Sequence, residues 1–225
     1  MVTCIVNAYG KAGTIYSCGF VYSTFLEKKL IYNMKLELKY KTPLEWAVQA
    51  VDGIDEFLQD HADAERKVSN MCMSFIAKYP NRHEIIDELT QIAVEELLHF
   101  KQVYKLIQAR GNQLSPIFHK DPYMKLLMPI FRSDRDLLFM DRLIVASIAE
   151  LRGSERFGLI GKVAKDTNIA KFYTNLHLQE LEHIDSFIKM ALLYFPENEV
   201  NKRVEEILIK EAEVTESLPW RCAIH

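Results

Sequence analysis

Long stretches of this chain pass without a helix breaker, and that alone narrows the fold. Between Asn81 and Arg110 there is neither glycine nor proline, and Ile85, Leu89, Ile92, Glu96, His99, Val103 and Leu106 recur at steps of three and four, the period of one face of an α-helix. Residues 54–78 and 167–195 behave in the same way. Only eight glycines and seven prolines occur in all 225 residues, so the chain reads as mostly helical and long enough to bury one substantial core.

Punctuation orders these stretches. The "TPLE" at Thr42 has the form of a capping box with proline at the first helical position, and predicts a short helix from Pro43 to about Val51. Gly53 permits a bend, after which a longer helix runs to about Lys78 and is stopped by Pro80. "NRHE" offers an N-cap and an acid three residues on, predicting a helix from Arg82 to Arg110 that ends at Gly111. Residues 111–133 are broken by Pro116, Pro122 and Pro129. "SDRD" then opens a third long helix, from Asp134 to about Lys165. Thr167 begins a fourth, which stops before Pro196, and a last amphipathic helix covers roughly Glu199 to Glu213. Short turns inside each pair of long helices and a long connection between the pairs describe an all-α four-helix bundle with one long crossover and short flanking helices.

Ionisable residues interrupt the apolar stripes at matching places. In the second long helix Glu96 and His99 share the face of Leu89, Ile92 and Val103, while Glu84, Glu88, Gln91, Glu95 and Gln102 form the opposite, wet stripe. In the fourth, Glu180 and His183 lie with Phe172, Leu176, Phe187 and Met190, and Glu182 faces away. The first places Glu65 among Ile54, Leu58, Val68 and Cys72. The third is apolar around most of its circumference and offers both Glu150 and Glu155. From Glu65 the chain runs 13 residues to Lys78 and returns 15 from Asn81 to Glu96, about 20 and 22 Å at 1.5 Å per residue, so the two acids come back level. From Glu150 the legs are 15 and 13 residues, whereas the outward leg from Glu155 falls about 4 to 5 Å short. Spacing selects Glu150.

A lone ExxH pair arises readily by chance on a helix. Two such pairs on apolar stripes, each preceded by an inward acid about 30 residues earlier, form a far more specific pattern. Four carboxylates and two imidazoles at one level of a dry bundle would each cost several kcal/mol if left uncompensated. Two divalent cations balance the four negative charges. Glu65, Glu96, His99, Glu150, Glu180 and His183 thus read as the ligands of a dinuclear carboxylate centre; oxygen and imidazole donors without thiolate suit iron or manganese, and bridging carboxylates on two irons suit dioxygen chemistry. His61 and His177, one turn before Glu65 and Glu180, read as neighbours of the ligands rather than members of the set. Cys72 reads as a small core residue.

Composition adds exclusions. The net charge of −3 and pI near 6.2 give no global nucleic-acid signal, but residues 45–100 carry 4 basic and 12 acidic side chains and residues 101–171 carry 13 basic and 7 acidic, so a polyanion could meet the second segment locally. Cys4, Cys18, Cys72 and Cys222 form no CxxC pair, which fits a reducing, cytoplasmic setting. No run near the start is long and apolar enough to span a bilayer, and no membrane partner is expected. Residues 1–33 lack clean periodicity and read as an N-terminal extension, or as sequence upstream of a start at Met34, ahead of a domain covering 34–225.

"DHADAERKVSN", "EELLHF", "AELRGSERF" and "ELEHIDSF", in this order and spacing, resemble the bacterial tRNA 2-methylthio-N6-isopentenyladenosine hydroxylases, a ferritin-like non-haem di-iron family. The resemblance covers about residues 34 to 200, and "LKYKTPLEW" after Met34 looks like that family's usual beginning. It implies a ferritin-like di-iron domain with all six ligands present, two iron ions, dioxygen as co-substrate, an external electron donor, and a tRNA substrate hydroxylated on its isopentenyl group next to the anticodon. Two other readings stand beside it: a ferritin-like iron store or peroxide-handling protein, which needs a cage or an extra electron-transfer centre, and a metal that acts only as a structural staple.

Overall fold

The uninterrupted stretches fold as their periodicity requires. A computed structural model describes residues 36–117 and 121–225. Among these are seven α-helices and no strand: α1 (Leu44–Asp52), α2 (Ile54–Lys78), α3 (Ile86–Ala109), α4 (Pro122–Leu127), α5 (Arg135–Val163), α6 (Thr167–Leu192) and α7 (Glu197–Ser217). The long helices pair as α2 with α3 and α5 with α6, each pair joined by a short turn, with the crossover between them. This is the four-helix bundle with one long crossover that the spacing predicts. The proposed extension 1–33 lies outside the described residues.

Helix ends depart from expectation where tertiary contacts outbid local capping. Thr42 does not cap α1. Its hydroxyl donates to Glu155 Oε2 at 2.8 Å, and Pro43 occupies the N-cap position without a side-chain cap bond. "NRHE" begins with a 3-10 turn, His83–Ile85, so that α3 proper starts four residues late and uncapped. Asp134 and Asp166 do cap α5 and α6, each accepting from two backbone N–H groups. At the end of α3, Gly111 adopts φ 79°, and Asn112 N–H reaches back to Ile107 O at 3.1 Å, a Schellman closure that needs a residue tolerant of the left-handed region. The crossover contains a helix that the sequence reading missed: Asp121 accepts from Met124 N–H and Pro122 stands at the first helical position of α4.

The helix α5 is buried nearly all round because α1, α6 and α7 all pack on it. Its contact with α6 is close: a Cβ at Gly161 would lie 2.6 Å from Thr174 Oγ1 and 3.0 Å from Thr174 N. Arg152, fully buried, joins α5 to α7 through a two-pronged bond to Glu211 (2.8 and 3.0 Å) and to the segment before α1 through Thr42 Oγ1 and Tyr40 O. The residues after α7 return along the bundle, where Ile224 N–H donates to Asp60 on α2 at 2.8 Å and Ile224 O accepts from Arg156 on α5 at 2.5 Å.

Apolar burial falls into two clusters. One gathers Cys72, Phe75, Ile85, Leu89, Ile92, Phe139 and Phe187; the other gathers Phe57, Leu58, Val103, Phe157, Tyr173 and Leu176. Between them in sequence, on all four long helices, lie Glu65, Glu96, His99, Glu150, Glu180 and His183, which are buried as well. The core is an apolar block, a polar layer and a second apolar block.

Candidate metal centre

Each long helix delivers its polar residue into that layer by register alone. Glu65, Glu96, His99 and Glu180 offer ligand atoms that all lie within 4.8 Å of one another. His99 Nδ1 stands 3.1 Å from Glu180 Oε1, 3.5 Å from Glu96 Oε2 and 3.9 Å from Glu65 Oε2. His183 joins the group through its Nδ1, 2.8 Å from Glu96 Oε1 and 3.0 Å from Glu180 Oε2. Glu150 lies outside this four-residue group, but it is buried on α5 and feels the charges of Glu96 and Glu180. Glu155, the other acid considered on α5, is committed elsewhere, accepting from Thr42 and Arg152.

The polar atoms in this layer are too many for one another. Glu96 Oε1, Glu180 Oε1 and His99 Nδ1 are buried and find no hydrogen-bond partner among the described residues; the approaches of Glu96 Oε1 to His183 and of Glu180 Oε1 to His99 are short but lack hydrogen-bond alignment. Buried groups of this kind are rare and costly without a further partner. Two carboxylate oxygens and an imidazole nitrogen facing a shared space fit a divalent cation.

Protonation follows the same logic. Burial, and then the charge of Glu96, push Glu65 well above the usual carboxylate range, and burial with the charges of Glu96 and Glu180 does the same to Glu150. Burial also opposes charge on His99 and His183, but the adjoining Glu180 and Glu96 carboxylates outweigh it and raise the imidazoles to about 10 and about 12. Burial works against Glu96 too, yet Glu65 and the two imidazoles hold it below its usual value. Without metal, the protons held by Glu65, Glu150, His99 and His183 offset the negative charge gathered in the layer.

Around the cluster, Glu95 was misread by the sequence, whereas His61 is the neighbour of a predicted ligand that its spacing suggested. Glu95 belongs to the wet stripe by periodicity and its side chain is 40% exposed, but its Oε2 lies 2.8 Å from His183 Nε2. It sits on the seam between α3 and α6, where Glu88 also accepts from Ser186 and Glu84 from Tyr194. A carboxylate on the far nitrogen of a ligating imidazole fixes its tautomer and ring orientation. His61 bonds Glu65 and Tyr173, whereas His177 pairs with Ser154 on α5, away from the cluster. The helical wheel of α3 shows Glu95 on its flank, but no single helix reveals which neighbour stands there.

The arginines of the basic segment 101–171 are all engaged within the fold: Arg110 with Asp55, Arg132 with Asp141, Arg135 with Lys78 O, Arg142 with Ser74, and Arg152 and Arg156 as above. Among the described residues of this segment, Lys101, Lys105, Lys125, Lys162, Lys165 and Lys171 are exposed, and so are Arg110 and Arg135.

Residues 29–225 match the family described as tRNA-(MS[2]IO[6]A)-hydroxylase (MiaE), a span that takes in α7 and the returning C-terminal segment, beyond the residues whose motifs carry the resemblance. A tRNA 2-(methylsulfanyl)-N(6)-isopentenyladenosine(37) hydroxylase of Pseudomonas putida is 30% identical over 184 residues, 82% of this chain and 89% of the relative. The protein of the same name from Salmonella typhimurium is 30% identical over 112 residues, 50% of this chain and 41% of that protein. Among solved structures, "Protein 43 with aldehyde deformylating oxygenase activity from Synechococcus" superposes with a TM-score of 0.80 at 27% identity, covering 85% of this chain and 96% of its own.

Proposed function

This chain belongs to the MiaE family of tRNA hydroxylases, and from that membership we propose that it hydroxylates the isopentenyl group of 2-methylthio-N6-isopentenyladenosine in tRNA, with two iron ions held by Glu65, Glu96, His99, Glu150, Glu180 and His183. The observation that supports the metal centre is the convergence of three buried polar atoms from α3 and α6, none with an aligned hydrogen bond, at the level where α2 and α5 add their acids. Bound there, an iron pair would supply the binding and reduction of dioxygen. Hydroxylation places one oxygen atom in a C–H bond and releases the other as water, which consumes two electrons and two protons. An external reductant or electron-donor protein is therefore a required partner.

The chain's own residues have definite tasks. Glu95 holds the His183 ring through Nε2 so that Nδ1 faces the cluster. The apolar blocks on either side keep bulk water from the layer. No described helix is long and apolar enough to cross a membrane, and a tRNA substrate fits a reaction in the cytoplasm. The relatives carry hydroxylase names, which speaks against the iron-storage alternative.

The test is nucleoside mass spectrometry of tRNA before and after incubation with iron-loaded protein, reductant and dioxygen. The modified adenosine should gain one oxygen, labelled when 18O-dioxygen is supplied. Transfer RNA lacking the isopentenyl group should be left unchanged; oxygen gained by that tRNA, or none gained by the isopentenylated one, would overturn the assignment.

A further inference from the structure

Two residues outside the ligand set bear directly on one of its members. His61, one turn before Glu65 on α2, is fully buried, and its ring nitrogens face different side chains: Nε2 lies 2.5 Å from Glu65 Oε1 and Nδ1 lies 2.8 Å from the hydroxyl of Tyr173 on α6. Tyr173 is fully buried too, among Phe57, Phe157 and Phe172. Proton positions follow from the two ends of this chain of bonds. A metal-binding Glu65 is ionised and can only accept, so His61 donates to it from Nε2. The neutral imidazole then has a bare Nδ1, and the tyrosine O–H donates to it.

The matching places around Glu150, the inward acid ahead of the second ExxH pair, hold nothing comparable. Four residues before Glu150, the place corresponding to His61, stands Ala146; seven before Glu96, the place corresponding to Tyr173, stands Leu89. Both are core residues, and no described side chain donates a hydrogen bond to Glu150. The bundle repeats its ligands but not their support.

We infer that Tyr173 and His61 form a positioning relay that fixes Glu65 by its Oε1, leaves Oε2 to the metal, and makes the two metal positions inequivalent. Glu65 Oε2 is the oxygen that faces His99 Nδ1, at 3.9 Å. The position served by Glu65 is preorganised and fills first, while Glu150 is the carboxylate free to turn. The inference rests on the metal-centre reading above, and its test reads metal binding rather than hydroxylation.

Cobalt(II) is titrated into metal-free protein, with calorimetry giving affinities and visible absorption reporting the coordination of each ion. Wild type should bind two ions of distinct affinity. Tyr173→Phe, which keeps the ring, and His61→Leu should weaken the tighter step by about tenfold or more and shift its absorption bands, leaving the weaker step unchanged. His61→Gln, which offers an amide donor and acceptor, should recover part of the loss. Tyr173→Phe that melts as wild type does and takes up both ions with wild-type affinities and bands would overturn the relay alone. Wild type that binds no cobalt would overturn the metal-centre reading together with the relay built on it.

Discussion

Glu95 and Glu96 are consecutive on α3, yet Glu96 is 1% exposed among the buried carboxylates and imidazoles and Glu95 reaches His183 from the protein's rim. Their alanine variants separate the two roles. Glu96→Ala removes a donor that nothing else in the layer replaces, so iron bound after gel filtration should fall from two equivalents towards none. Glu95→Ala should keep the stoichiometry but weaken binding about tenfold, because His183 then loses the partner that fixes its orientation. Glu182→Ala, on an exposed position of α6, should change neither. Metal analysis with calorimetric titration checks all three, and equal behaviour of the two α3 variants would remove the distinction between them. What the sequence could show at this scale follows from the geometry. A period of 3.6 separates inward from outward residues, which is why the buried placement of Glu65, Glu96 and Glu180 was legible. Residues on a helix flank, such as Glu95, acquire their role from a neighbour 88 positions away. The partnership of His61 with Tyr173 spans 112 positions and leaves no local trace.

Helix existence was legible because long apolar periodicity decides it, whereas helix ends were decided by contacts that periodicity does not register. Thr42 shows the competition: its hydroxyl serves the buried Arg152 and Glu155 instead of the α1 backbone, a stronger demand than a terminal N–H that water can reach. Arg152 is correspondingly sensitive. Replacing it with alanine leaves Glu211, itself fully buried, without its counter-charge and should lower unfolding free energy by about 3 to 5 kcal/mol, measurable by urea titration of the metal-free protein. The α5–α6 seam makes a second demand, since the backbone and side chain of Thr174 stand where a Gly161 methyl would go. Gly161→Ala should destabilise by about 1 to 3 kcal/mol, even though alanine favours helix by about 1 kcal/mol over glycine. A neutral or stabilising result would mean that α6 can move aside. α4 carried a readable signal in its "DP" start; the three prolines around it masked a helix of only six residues.

At the scale of the whole molecule, the polar layer sets how stability depends on pH, and metal reverses the sign. In the metal-free protein Glu65 and Glu150 keep their protons well above the ordinary 4.5, and His99 and His183 keep theirs from 6.5 up to about 10 and about 12. All four have folded values above unfolded ones, so their contribution is complete below the unfolded values and is lost as pH rises through the folded ones. Burial lowers His61 to about 3 and His225 to about 4, which has the opposite effect, but only below 6.5, where the unfolded imidazoles begin to charge. Between roughly pH 7 and pH 9 the folded metal-free chain therefore binds more protons than the unfolded one, and its Tm should fall as pH rises. Two bound cations displace those protons, because carboxylate and imidazole ligands must be deprotonated. Metal affinity should then rise with pH, and the Tm gap between loaded and metal-free protein should widen across the same window. Thermal melts of both forms at several pH values, together with proton release measured on metal addition in weak buffer, check the linkage, and taking the difference between forms cancels every ionisation outside the layer. A gap that narrows with rising pH, or metal uptake without proton release, would show that the six buried side chains are not where the cations bind.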